Sequence, residues 1–189
     1  VGDLVPAMGV HEGEEHRPEG HGGGGRLGIH GRVPYLTTRQ MRAGRALEGE
    51  QMSRFDGKVA IVTGAASGVG RVLARRLAAE GGTVFGLDLN DAGLAETFEG
   101  IDTGSYEVAD ISDRSAAHAA VATCVERHGG VHVLCNVAGI LRTNRLALIE
   151  EAELDLVLKV NVAGTLWMIQ AAMPHLEAAR GSVVNVASN

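Results

Sequence analysis

The run Thr63-Gly64-Ala65-Ala66-Ser67-Gly68-Val69-Gly70 sets three glycines into a short stretch between two patterned segments. Before it stands Lys58-Val59-Ala60-Ile61-Val62, short, apolar and β-branched, the pattern of a buried strand. After it, Val72, Leu73, Leu77 and Ala78 fall at helical spacing until Gly81-Gly82 stops the run. A strand-to-helix turn exposes backbone N–H groups and the positive end of a helix dipole, which is chemistry suited to a phosphate. Glycine lets a pyrophosphate come close to the backbone there, where a Cβ would hold it away. Gly64, Ser67, Gly68, Val69 and Gly70 are therefore candidate cofactor-binding residues. A tight loop with no ligand would also accept three glycines.

Asp88 carries the second chemical signal. It ends the apolar segment Thr83-Val84-Phe85-Gly86-Leu87, eighteen residues beyond Gly70. The usual dinucleotide fingerprint is G-x-G-x-x-G, and the order here is Gly64-x-x-x-Gly68-x-Gly70. In a βαβ unit an acidic residue at this distance sits beside the adenosine ribose and accepts hydrogen bonds from its hydroxyls. It repels a 2′-phosphate by about a few kcal/mol at an effective dielectric of ~20. No Arg or Lys stands at position 67 or directly after Asp88. The expected cofactor is NAD, with NADP disfavoured. Asp88 could instead cap the next short helix, a role open to Asn90 or Asp91 as well.

The remaining elements would position these groups. Ser105-Tyr106-Glu107-Val108-Ala109 reads as a third strand leading to Asp110-Ile111, where an adenine could be met. Ser112 or Asp113 then caps a helix that Gly129-Gly130 closes. Val131-His132-Val133-Leu134-Cys135 reads as a fourth strand running into Asn136-Val137-Ala138-Gly139. Small residues at the carboxyl end of such a strand admit a cofactor at the switch point of an open sheet. A long helix is predicted over 151–177, with Leu154, Leu158, Val162, Leu166, Ile169 and Met173 marking its apolar face. Asn161 is unfavourable by propensity in its middle and points to a function or a local kink. Pro174 is expected to disturb the last turns. Ser182-Val183-Val184-Asn185-Val186 reads as a fifth strand. Strands alternating with helices predict an α/β fold, a parallel sheet covered on both faces.

Composition bounds the rest. The 189 residues carry a net charge of −6 and no basic run, and aromatics are few, which speaks against nucleic acid. No apolar run reaches spanning length, so a soluble, cytoplasmic chain without a membrane partner is expected. Cys124 and Cys135 form no C-x-x-C and read as two reduced thiols, with neither disulfide nor metal. His118, His128 and His132 are assigned no chemistry. Residues 1–53 hold three of the four prolines, half of the histidines and the run Gly22-Gly23-Gly24-Gly25. They read as a disordered leader or non-native upstream extension, with Met52 as the natural start. His11, His16, His21 and His30 lack the spacing and cysteine partners of a metal site. Residues 54–189 form the cofactor-binding domain.

Taken together, these residues resemble the short-chain dehydrogenase/reductase family over about residues 55–189. Thr63, Gly64, Gly68 and Gly70 match its Thr-Gly-x-x-x-Gly-x-Gly turn. Asp88 falls on its acidic NAD selector and Asp110, with Ile111, on its adenine side. Asn136, Ala138 and Gly139 match its Asn-Asn-Ala-Gly motif, with Val137 in place of the second Asn. Asn161 and Gly164 match its Asn-x-x-Gly, with Val160 beside the cofactor, and Ser188 falls on its catalytic Ser. The resemblance implies a Rossmann-type three-layer αβα sandwich that carries hydride between nicotinamide and an alcohol or ketone. Ser188 would bind the substrate oxygen and Asn161 would hold a water in the proton relay. It further implies a homodimer or homotetramer through the long helix.

The family's Tyr-x-x-x-Lys has no match here, because neither Tyr35 nor Tyr106 has a Lys four residues later. The chain is therefore expected to be the amino-terminal part of a longer enzyme, lacking the last strands, inactive alone and poorly soluble. A non-catalytic NAD-binding or interaction protein that lacks the active-site Tyr is the alternative.

Overall fold

The computed structural model describes residues 53–187. The expectations for residues 1–52, including the leader, its histidines and the Met52 start, lie outside the described residues, as does Ser188.

Five parallel strands form one sheet: β1 (Val59–Thr63), β2 (Thr83–Asp88), β3 (Gly104–Val108), β4 (Val133–Asn136) and β5 (Ser182–Asn185). Their spatial order is β3-β2-β1-β4-β5. The order reverses between β1 and β4, and in an open parallel sheet the crevice for a ligand opens at such a point. The helices are α1 (Gly68–Ala79), α2 (Asp91–Phe98), α3 (Arg114–His128), α4 (Glu151–Leu158) and α5 (Thr165–Ala179). The chain has the Rossmann-type α/β fold with a parallel sheet between helical layers.

Alternation along β1 shows why the central strand is apolar throughout. Val59 and Ile61 pack on one face with Val121 and Cys124 of α3 and Met168, Ala172 and Leu176 of α5. Ala60 and Val62 pack on the other with Ala74 and Leu77 of α1 and Leu94 and Phe98 of α2. Complete burial of Ile61, Phe85 or Leu134 contributes about 1.5–3 kcal/mol each. At the opposite end of the sheet from the crevice, Glu80 is nearly buried and pairs with Arg76 and Arg54. The hydrogen bond from Arg76 is the main cause that lowers its pKa. This pairing stabilises the fold above the ordinary carboxylate range and is lost as acid protonates Glu80.

The helix ends follow their residues. Asn90 caps α2 by accepting from the Gly93 amide at 3.1 Å, and Asp113 caps α3 by accepting from Ala116 at 2.8 Å. Gly129 closes α3 with a φ of 83°. Two expectations need correction. Pro174 does not break the last turns, and α5 continues to Ala179. Gln170 and Pro174 are both exposed, so the carbonyl that proline leaves unpaired stays open to water. The predicted long helix is also not uniform. A π-helical segment, Lys159–Gly164, joins α4 to α5.

Residues 151–179 form one helical stretch of 29 residues, long and apolar enough by length and composition to cross a membrane. That corrects the expectation that nothing reaches such a length. The same test is passed by core helices, and Met168, Ala172 and Leu176 of this stretch lie in the core. Of the stripe marked in the sequence, Ile169 packs against the core, whereas Leu154, Leu158, Val162, Leu166 and Met173 stand exposed.

Cys124 and Cys135 are both free and buried, on opposite faces of the sheet. Burial pushes their thiols up to about 12 and about 11. We expect neither to react with DTNB in the native protein between pH 7 and pH 10, and both to react after unfolding in guanidinium. Native titration of a thiol at pH 8 would contradict this packing.

Candidate functional site

A cleft of about 430 Å³ opens at the carboxyl ends of β1, β2 and β4. That lies within the range of small-molecule sites. Gly64, Ser67, Gly68, Val69 and Gly70 line it on one side, and Asp88, Asp110 and Ile111 line the other. Ala138, Gly139 and Val160 also face it. Leu87, Leu89, Ala109, Val137, Ile140 and Val186 complete the lining and were not anticipated. Their signal is position alone, since each neighbours an anticipated residue or ends a strand.

The three glycines serve three different needs. Gly64 has a φ of 69°, and a Cβ on it would stand 2.9 Å from the Ala138 backbone. Gly70 lies against the Gly64 carbonyl with no room for a side chain. Gly68 has a φ of 51° and only open space where its Cβ would be. Of the three, Gly68 alone leaves free space beside a left-handed backbone, which is what a phosphate cradle requires. α1 begins at this residue. Its cap Ser67 makes no side-chain bond to it, and no acidic residue occupies its first turn. The first N–H groups of α1 thus remain available to an anion.

Side chains fix the surrounding backbone. The Thr63 hydroxyl oxygen accepts from the Val137 and Ala138 amides, each at 3.0 Å. Asp88 accepts from the Ala66 amide at 3.1 Å and from the Asn90 amide at 3.0 Å. Asp88 therefore ties β2 to the glycine turn, while Asn90 fills the capping role. Asp110 accepts from the Ser112 amide at 2.9 Å.

Two anticipated residues are placed differently. Asn136 does not line the cleft. It is buried at 3% exposure and donates to Asn185 Oδ1 at 2.9 Å, joining β4 to β5. Its own Oδ1 has no partner among the described residues. Asn161 does not line this cleft and stands exposed in the π-helical segment. Its Oδ1 accepts from the Ile140 amide at 2.8 Å, and its Nδ2 donates to the Ile140 carbonyl at 2.9 Å. Asn161 therefore positions a residue that does line the cleft. None of His118, His128 and His132 lines it, and His132 instead accepts from the Val59 amide at 3.1 Å.

The family model for short chain dehydrogenase matches residues 58–189. The chain belongs to this family. It is 39% identical over 137 residues to the 3-alpha-(or 20-beta)-hydroxysteroid dehydrogenase of Mycobacterium tuberculosis, covering 71% of this chain and 53% of that protein. It is 40% identical over 144 residues to the D-threitol dehydrogenase of Mycolicibacterium smegmatis, covering 71% and 54%. The chain thus spans about half the length of the curated relatives it matches. Among solved structures it is similar to a short chain dehydrogenase from Burkholderia cenocepacia J2315 in complex with NADP. The TM-score is 0.68 and the identity 34%, covering 71% of this chain and 57% of that one.

The lining is compatible with the family's dinucleotide, with a side-chain-free left-handed residue at the helix start and the carboxylates of Asp88 and Asp110 facing the same cleft. Replacing Gly68 by Val tests the fit. We expect Gly68→Val to weaken NAD binding by at least tenfold in calorimetry, because a branched side chain resists the backbone angle and fills the open space. Unchanged affinity would make the turn structural only.

Proposed function

We propose that this chain holds NAD in the cleft and serves an oxidoreductase that acts on the CH–OH group of a small alcohol or the carbonyl of a ketone. The observation that carries the reading is Asp88, with its carboxylate fixed at the tip of β2 in a cleft that no cationic side chain lines among the described residues. Two carboxylates at the nucleoside end, Asp88 and Asp110, disfavour the added charge of a 2′-phosphate. The hydroxysteroid and threitol dehydrogenases support alcohol chemistry as the class. The NADP held by the Burkholderia protein makes the choice between the two nucleotides a matter for this chain's own residues.

The nicotinamide, when bound, supplies or accepts the hydride. Ser188 would hydrogen-bond the substrate oxygen and stabilise charge that develops on it. Asn161 would act by holding Ile140, and its remaining donor and acceptor sites could carry a water for proton relay. Tyr106, the one tyrosine among the described residues, lies on β3 against Phe98 with ring centroids 5.5 Å apart. It does not line the cleft, and that favours a second reading, a non-catalytic NAD-binding protein. A coding frame that continues past Asn189 into a Tyr-x-x-x-Lys would separate the two in favour of the enzyme.

A second copy of the chain is the proposed partner. Leu154, Leu158, Val162 and Leu166 stand exposed along α4, the π-helical segment and the start of α5. That is an apolar stripe suited to a matching helix. Light scattering of the full-length protein at micromolar concentration is expected to report a dimer or tetramer, and a monomer would refute this part.

Calorimetry of the chain with both nucleotides tests the central reading. We expect NAD to bind at least tenfold tighter than NADP, and Asp88→Ala to narrow the gap by weakening NAD and admitting NADP. No turnover of alcohols is expected from these 189 residues, since without a positioned acid/base proton transfer loses roughly 10²–10⁴-fold. Equal or tighter binding of NADP would overturn the assignment to NAD.

A further inference from the structure

Among the described residues no Arg, Lys or His lines the cleft, yet one guanidinium stands directly behind the glycine turn. Arg71 of α1 donates to the Ala66 carbonyl from Nε at 3.2 Å and from Nη2 at 2.5 Å. Its Nη1 pairs with Glu96 of α2. The amide of the same Ala66 donates to Asp88 at 3.1 Å. A single residue thus links the cation to the carboxylate that faces the nucleoside.

We infer that the Arg71–Glu96 pair is a second element of nucleotide selection. Glu96 neutralises Arg71 and holds it on the Ala66 carbonyl, so that the guanidinium is withheld from a phosphate on the ribose 2′ position. The inference rests on the reading of the cleft as a dinucleotide site.

Three observations carry it. The pair is not needed to dock α2. Arg75 already binds the Thr97 and Glu96 carbonyls at 3.1 and 2.7 Å, and the Thr97 hydroxyl lies 2.9 Å from the Ala65 carbonyl. The pair also borders solvent, with side chains 24% and 58% exposed, so it contributes little stability and can exchange partners. The local charge decides the sign. Asp88, Glu96 and Arg71 sum to −1, which opposes a phosphate. Without the Glu96 charge the sum is zero, and a planar cation with a free N–H edge becomes available.

The test is calorimetric titration of the full chain with NAD and with NADP. It compares the wild-type protein, Glu96→Gln, and the double variant Glu96→Gln with Arg71→Met. Glutamine keeps the shape and removes the charge, and Arg75 binds the main chain of Glu96, which the substitution leaves intact. The ratio of the two affinities is read, so that any loss common to both nucleotides cancels. In Glu96→Gln we expect NADP to tighten about three- to tenfold while NAD stays within twofold, with the gain shrinking at high salt. The double variant is expected to lose the gain. An unchanged ratio in Glu96→Gln, or a gain that persists without Arg71, would overturn the inference while leaving the dinucleotide reading intact. Binding of neither nucleotide by the wild-type chain would overturn both.

Discussion

One hydroxyl group sets the geometry on which the cleft depends. After Asn136 the chain leaves the sheet, and the next two amides lose the partners that a strand would supply. Thr63 Oγ1 accepts both. An unpaired buried amide costs about 1–3 kcal/mol, and the oxygen of fully buried Thr63 satisfies two half-buried amides that would otherwise bear part of that cost. The bonds draw Ala138 across the end of β1, so close that residue 64 can carry no side chain. The left-handed turn at Gly64, the entry into α1 and the open space at Gly68 all follow from that approach.

The loop beyond β4 is held from its other side by Asn161. A carboxamide offers one donor face and one acceptor face, as a peptide group does, and Asn161 uses both on Ile140. The helix accommodates this with a π-helical segment, a feature found often at functional sites. A Cβ on Gly139 would stand 3.4 Å from the Asn161 oxygen, an ordinary contact, so the loop packs close to Asn161 without requiring glycine there. Residues 137–140 lack regular structure, yet they are fixed between β1 and the π-helical segment. A wall of the cleft is thereby rigid without being part of an element.

The strands and most helix limits were legible because their causes are local. Apolar β-branched runs, Asn90 and Asp113 at helix starts, and Gly129 at a helix end act within a few residues of themselves. The glycine turn was legible as a site, but its division of labour was not. What stands over Gly64 comes from residue 138, far along the chain. Asn136 looked like a cofactor contact because it adjoins Ala138 and Gly139. Its partner, Asn185, is a neighbour only once β5 has paired with β4. The face of the long helix was misjudged for a related reason. Leucine spacing marks an apolar stripe but does not say what covers it, and here the smaller Gly164 and Ala172 lie on the core side with Met168 and Leu176.

Asp88 shows how one side chain can serve structure and recognition together. An ionised carboxylate has about four acceptor positions on its two oxygens. The Ala66 amide uses one on Oδ2 and the Asn90 amide one on Oδ1. Each oxygen keeps capacity for a further donor, so a ribose hydroxyl could be accepted without breaking either bond. The amides also hold the carboxylate in a single orientation before any ligand arrives, which removes part of the ordering cost that binding otherwise carries. A glutamate would place its oxygens one methylene further out and would order an additional side-chain torsion to meet the same two amides. The turn itself thus holds the short acid in place, and the proposed preference for a ribose with free hydroxyls rests on that geometry.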